Sequence, residues 1–321
     1  MQEIIKNRVR ELLENGYDNV IGWEVADAAF DRTPAIFDKD NSDNLVYDSF
    51  CGANVAKYAI AQSQNGKKSI VLTKPCDSYS LNQLCTEHRI NRDNIYVIGV
   101  GCCSKLDLQK IKNQGIKGIL EVVDNGETLT VKTLYGDKEV NRADVLLDKC
   151  LCCKGKEHKI ADEVIGESCD TATGDKFDMV AKLEAMTPDE RFEFWRGELS
   201  KCIRCNACRN VCPACSCIKC VFDNPATEIS NKAAADDFEE NMFHIIRAYH
   251  VAGRCTDCGE CSRVCPEGIP LHLLNRKIIK DVNELYGDYQ AGSEIGQRHP
   301  LVDFTYEDVE ASVVHERGGD K

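Results

Sequence analysis

Two cysteine runs near the C-terminal end constrain this chain more than any other feature. KCIRCNACRNVCP sets Cys202, Cys205, Cys208 and Cys212 at the spacing C-x2-C-x2-C-x3-C-P, and RCTDCGECSRVCP repeats it at Cys255, Cys258, Cys261 and Cys265. Three thiolates two residues apart can wrap one four-iron cubane. The fourth, one residue further on and followed by proline, points to a second cubane. The spacing therefore predicts two 4Fe-4S clusters with crossed ligands. Cys202, Cys205, Cys208 and Cys265 would hold the first; Cys255, Cys258, Cys261 and Cys212 the second. Zinc, the competing reading, uses isolated C-x2-C pairs, and two full copies of this eight-cysteine pattern are not zinc spacing. One-electron transfer is the chemistry to expect.

The 42 residues between the runs are too many for a compact ferredoxin loop and carry Phe238, Met242, Ile245 and Tyr249 at helical spacing, with Gly253 closing the segment. A helix should open before the first run at Thr187, Pro188 and Glu190, a capping box that satisfies orphan amides, and carry Phe192, Phe194, Trp195 and Leu199. Another should follow the second run, from Leu271 to Tyr286. Over residues 187–285 this arrangement resembles the α-helical ferredoxin domain found in the C-type subunit of heterodisulfide reductase and in succinate dehydrogenase iron–sulfur subunits. The resemblance implies an electron relay between two partner sites. CPACSCIKC adds Cys215, Cys217 and Cys220, which either hold a further metal or form a cysteine-rich wall beside the second cluster.

The remaining cysteines need the composition. There are 20 in 321 residues, and disulfides in bulk suit small secreted domains, not a chain of this size. The sequence opens MQEIIKNRVRELLENG, without an apolar signal core, and no run nears the roughly 20 apolar residues of a membrane span. A cytoplasmic protein of an anaerobic host is expected. The net charge of −13 argues against nucleic acid or an anionic membrane as the main partner, since phosphate binding needs a basic face.

The first half reads as alternating helices and strands. Helices are expected at 2–15, 52–64, 78–88 and 105–113. Strands are expected at 69–74 and 95–101, and a hairpin at 119–124 and 129–135 around NGET. The expected fold is an α/β N-terminal domain (1–165, with an antiparallel addition at its sheet edge), a linker (166–186), an α-helical dicluster ferredoxin domain (187–286) and an extended tail (287–321). Cys76 and Cys102 follow consecutive strands, where an open parallel sheet lines its ligand crevice. Cys150 and Cys153 form a C-x2-C pair able to close it. Together they make a candidate third 4Fe-4S site, with buried free thiols the plainer alternative.

KPCDSYSL, NIYVIGVGCCSKLD and LLDKCLCCKGKEHKIADEVIGE resemble the coenzyme-reducing hydrogenase/dehydrogenase beta-subunit family, which acts with the 8-hydroxy-5-deazaflavin coenzyme. The resemblance implies an electron-transferring subunit, with bound FAD in some members, and partners that feed a heterodisulfide reductase-like flavoprotein. No G-x-G-x-x-G follows a strand, so a third cluster is preferred to FAD. The Cys102–Cys103 pair also resembles the cysteine-rich repeats in the B-type subunit of heterodisulfide reductase, but its gaps suit that motif poorly. Cys51, Cys85 and Cys169 read as core residues, Cys103 and Cys152 carry no assignment, and His244 and His250 read as structural neighbours of the second cluster.

The leading expectation is thus a non-catalytic iron–sulfur relay subunit of a hydrogenase, formate dehydrogenase or NAD(P)H-linked complex. The alternative is an FAD-binding catalytic beta subunit acting on a deazaflavin or nicotinamide, and the plainest is a zinc-stabilised interaction protein.

Overall fold

The computed structural model describes residues 1–28, 30–169, 172–224 and 237–301. Its strands are β1 (Asn19–Val25), β2 (Arg32–Phe37), β3 (Ser69–Thr73), β4 (Ile95–Val100), β5 (Ile119–Asp124), β6 (Thr128–Thr133), β7 (Lys138–Asn141) and β8 (Glu163–Ile165). Five form one sheet in the order β2-β1-β3-β4-β8. β1, β3, β4 and β8 run parallel, and β2 is antiparallel to β1. All five residues of β3 are buried, as a strand covered on both faces requires. The helix Gln2–Glu14 lays Ile5, Val9, Leu12 and Leu13 into the same core.

Sequence periodicity missed β1 and β2. Gly22 interrupts the apolar run of β1, yet a Cβ there would collide with the Leu45 side chain. Pro34 disguises β2, but β2 is an edge strand, where a missing N–H is tolerated. The antiparallel edge expected from the hairpin is in fact β2. β5, β6 and β7 form a separate three-stranded sheet, whose Leu129, Val131 and Val140 pack on Ile111, Val145, Leu146 and Leu147. Two helices start later than expected, each just beyond a side chain that accepts backbone N–H groups. Asn54 accepts the Ala56 N–H (2.9 Å), and Asp107 accepts from Gln109 (2.8 Å) and Lys110. The helix expected at 78–88 begins earlier, at Pro75, which puts Cys76 in its first turn.

From residue 172 onward the described chain is helical and irregular. The stretch expected as a linker contains a helix, Asp178–Glu184, whose Val180 and Leu183 bury against Leu273. The helix Pro188–Leu199 opens with the complete capping box: Thr187 N–H donates to Glu190 (2.9 Å) and Thr187 Oγ1 accepts from Glu190 N–H (3.3 Å). Thr187→Ala should cost about 1 kcal/mol, read as a lower denaturation midpoint with iron content unchanged. Residues 287–301 turn back on the body, burying Ala291 and bringing His299 Nε2 to 3.1 Å from the Ala252 carbonyl. Residues 302–321 of the expected tail lie outside the described residues.

The helix between the cysteine runs, Asp237–His250, is where the structure departs furthest from periodicity. Its apolar stripe faces outward, with Phe238 75% and Tyr249 68% exposed, while Phe243, His244, Arg247 and Ala248 are buried. An amphipathic helix normally buries its hydrocarbon. This one buries a guanidinium and an imidazole, because what lies beneath it is a nest of cysteine sulfurs.

The two halves meet closely. Lys149 Nζ pairs with Glu260 (2.5 Å), both side chains buried. Ser80 Oγ lies 2.9 Å from Thr256 Oγ1, and Arg254 pairs with Glu87. Among the described residues no helix is long and apolar enough to cross a membrane.

Candidate iron–sulfur sites

Both cysteine runs fold the same way. Arg204 and Asn206 flank Cys205 in the left-handed region (φ 53° and 61°), and Asp257 and Gly259 flank Cys258 likewise (φ 52° and 70°). This conformation is uncommon for residues with a Cβ. It coils each run tightly and launches a short helix, Ala207–Val211 or Glu260–Arg263, carrying the third cysteine. At the equivalent position of each run a backbone amide donates to the first sulfur: Arg204 N–H to Cys202 (3.3 Å) and Asp257 N–H to Cys255 (3.4 Å).

Cys202, Cys205 and Cys208 of the first run line one cavity with Cys265 of the second, closed over by Phe243 and His244. Cys212 stands instead with the second run. Its charge raises the pKa of Cys255, Cys258 and Cys261, after burial, which is the larger cause in each; Cys261 is pushed up to about 12. Thiols so placed stay protonated on their own, whereas a coordinating metal deprotonates them outright. His244, expected beside the second set, lies on the first.

Polar atoms left without partners test whether these cavities suit an anionic, sulfur-rich group. Arg247 is 1% exposed, and its three guanidinium nitrogens have no hydrogen-bond partner among the described residues. Its charge acts on Cys261, Cys208 and Cys212, thiols of both sets, and on Cys215. His244 is equally buried, with neither ring nitrogen hydrogen-bonded among the described residues, and burial, then Arg247 and Arg204, lower its pKa to about 3. An uncompensated buried charge is strongly unfavourable. Two clusters carrying negative charge and sulfur acceptors complement it, so the residues fit the group.

A third cavity lies at the carboxyl ends of β3 and β4. Cys76, Cys102, Cys150 and Cys153 line it together, with Cys152 and with Cys258 of the C-terminal half. Lys74, Lys105, Lys149 and Lys154 also line it, a cationic wall suited to an anionic occupant. Lys74 is held by Asp77 (2.5 Å) and the Ala53 carbonyl (2.7 Å), and Lys105 by the Asp48 carbonyl (2.7 Å). Lys105 N–H donates to Cys150 Sγ (3.3 Å). Glycine at 101 is required, since a Cβ would strike the backbone of Glu167 and Gly166. That close approach sets the start of the Cys102 loop.

Among the described residues no three His, Cys, Asp or Glu side chains converge closely enough to hold a single metal ion. Cys215, Cys217 and Cys220, weighed as a further metal site, line an open groove with Arg209, Arg247 and Arg254. Cys215 packs with Cys212 and Cys255, and its hydrogen bond holds the Cys212 thiol below its usual range. Cys51 and Cys85 are core residues, burial raising them to about 12 and about 11. Cys169 is not: it is exposed and disulfide-bonded to Cys103. Nothing in the spacing paired these two, because the contact depends on β8 lying beside β4.

Comparison with known proteins finds a matching domain and similar chains. A family model described as a 4Fe-4S dicluster domain matches residues 198–269, which span both runs. The F420-dependent formate dehydrogenase subunit beta of Methanocaldococcus jannaschii is 23% identical across 84% of this chain and 86% of its own length. F420-dependent formate dehydrogenase 1 subunit beta of Methanococcus maripaludis is 26% identical across 58% of this chain and 63% of its own. Among solved structures, a chain of the F420-reducing NiFe hydrogenase complex from Methanosarcina barkeri matches at a TM-score of 0.36 and 15% identity, over 46% of this chain and 57% of that one. A likeness that low carries no argument about the fold. The chain is an iron–sulfur protein of the electron-transferring kind, similar to the beta subunits of F420-dependent enzymes.

Proposed function

We propose that the chain is an electron-relay subunit of a cytoplasmic, anaerobic oxidoreductase complex resembling F420-dependent formate dehydrogenase. It would hold three 4Fe-4S clusters between a dehydrogenase or hydrogenase partner and a heterodisulfide reductase-like flavoprotein. Cys202, Cys205, Cys208 and Cys265 would hold the first cluster and Cys212, Cys255, Cys258 and Cys261 the second, within an α-helical ferredoxin domain spanning 187–286. Cys76, Cys102, Cys150 and Cys153 would hold the third, within the α/β domain 1–165. The observation that carries the reading is continuity: Arg247 stands between the first and second sets, and Cys258 belongs to the second while lining the third cavity.

Bound 4Fe-4S clusters supply reversible one-electron storage. The chain's own groups set how readily. Amides at Arg204 and Asp257 donate to cysteine sulfur, Arg247 offsets charge between the first two sets, and the lysines do so at the third. The outward stripe of Phe238, Met242, Ile245 and Tyr249, on the helix roofing the first site, is the surface we assign to a partner subunit, as exposed apolar patches beside a functional site commonly serve.

A flavin-binding catalytic beta subunit is the second reading. A groove between the halves favours it, lined by Phe30 and Phe50 (centroids 5.4 Å apart), Arg263, Arg276 and Cys265. Iron analysis of anaerobically purified protein tests the leading proposal: about twelve irons per chain are expected. About eight would remove the N-terminal cluster, and zinc in place of iron would end the proposal. Flavin retained at one per chain would favour the second reading.

A further inference from the structure

The Cys103–Cys169 disulfide closes a loop of sequence separation 66 and joins a part-buried cysteine to an exposed one. Cys103 directly follows Cys102, which lines the N-terminal cavity; Cys169 is exposed just beyond β8. A staple is not needed there. Gly101 N–H already donates to the Ile165 carbonyl (2.8 Å), Cys102 N–H to Ser168 Oγ (3.0 Å) and Cys169 N–H to the Cys102 carbonyl (3.1 Å). Arg142 fixes the loop from the other side, donating to the Cys103 carbonyl (2.5 Å) and to Asp124 (3.0 Å). Three hydrogen bonds hold the two segments in register, so the covalent bond is free to open without releasing them.

We propose that Cys103–Cys169 is a redox-active disulfide. It is a two-electron site, reduced one electron at a time from the iron–sulfur site at Cys76, Cys102, Cys150 and Cys153, and it passes electrons in pairs to a disulfide-containing substrate. The inference rests on the N-terminal cluster proposed above. Reduction breaks the Cys103–Cys169 S–S bond, consuming two electrons from that site and two protons from solvent and leaving two thiols. The exposed Cys169 thiolate then attacks a substrate disulfide, forming a mixed disulfide and releasing one substrate thiol. Cys103 attacks Cys169 sulfur, restoring the original bond and releasing the second thiol. The substrate gains the two electrons and two protons that the pair gives up. Accessibility assigns the order: an attacking thiol must be reachable, and Cys103 is the less exposed of the two.

The test uses the full chain, purified anaerobically with its iron. Iodoacetamide labelling read by mass spectrometry should leave Cys103 and Cys169 unlabelled as isolated. Both should label once reduced methyl viologen has delivered two electrons per chain beyond those taken up by iron. In Cys102→Ser, iron should fall by about four atoms, and the pair should stay closed to reduced viologen while still opening with dithiothreitol. A pair that stays closed in the wild type with all iron reduced, or that opens equally in Cys102→Ser, overturns the proposal. Should wild-type iron be about eight and unchanged in Cys102→Ser, it is the N-terminal cluster that fails, taking the coupling with it. A second variant covers misfolding of the first. Cys103→Ser/Cys169→Ser should keep the full iron content and resonance spectrum, take up two fewer electrons in a reductive titration, and lose viologen-driven reduction of hydroxyethyl disulfide. Unchanged electron uptake overturns the proposal.

Discussion

Cys205→Ala and Cys265→Ala, in different cysteine runs, are expected to leave the same protein behind. Each should lose about four irons of about twelve, and the electron paramagnetic resonance spectra of the two reduced variants should superimpose. Cys212→Ala and Cys255→Ala should lose a similar amount and share a different spectrum. The expectation comes from the cavity that gathers Cys202, Cys205 and Cys208 with Cys265, and from the nearness of Cys212 to Cys255, Cys258 and Cys261. Each run turns through left-handed residues at equivalent positions into a short helix carrying its third cysteine, and its fourth cysteine lies with the other run. Were the ligands uncrossed, Cys205→Ala would match Cys212→Ala instead. Electron transfer through the dicluster module should be abolished in all four variants, because removing either cluster breaks the relay.

The sequence made this part of the molecule legible because short-range spacing alone determines it. C-x2-C-x2-C sets three cysteines within a few residues of one another, and both runs lie inside the matched dicluster segment. The buried strands β3 and β4 and the capping box at Thr187 were visible for the same reason. Features that depend on contacts distant in sequence were not. β2 is a strand because β1 offers it an edge, despite Pro34. The Asp178–Glu184 helix exists because Leu273 receives Val180 and Leu183. The Cys103–Cys169 bond follows from the pairing of β4 with β8. Periodicity found the helix Asp237–His250 but not which face it buries. Binary patterning assumes a hydrocarbon core, and beneath this helix the neighbours are thiols.

That inversion leads to the second large effect, at Arg247. A guanidinium whose three nitrogens have no hydrogen-bond partner among the described residues, at 1% exposure, is a liability in a chain without metal, and replacing it by an apolar residue of similar length should stabilise such a chain. In the iron-loaded protein the sign reverses. Two cubanes held as proposed would bring net negative charge to the sulfurs of Cys208, Cys261 and Cys212, and the charge of Arg247 acts on all three. Arg247→Met would then leave buried negative charge uncompensated, costing about 3–5 kcal/mol in denaturation followed by loss of cluster absorbance. Both dicluster couples should also move to more negative potential, since adding an electron becomes harder once the nearby positive charge is gone. Arg247→Lys should restore part of the potential, because a point charge remains even though the planar fork of donors is lost. Unchanged potentials in Arg247→Met, together with higher stability of the iron-loaded protein, would mean that the guanidinium serves neither site. The reversal of sign between metal-free and loaded protein separates a residue placed for its cluster from one merely trapped in the fold.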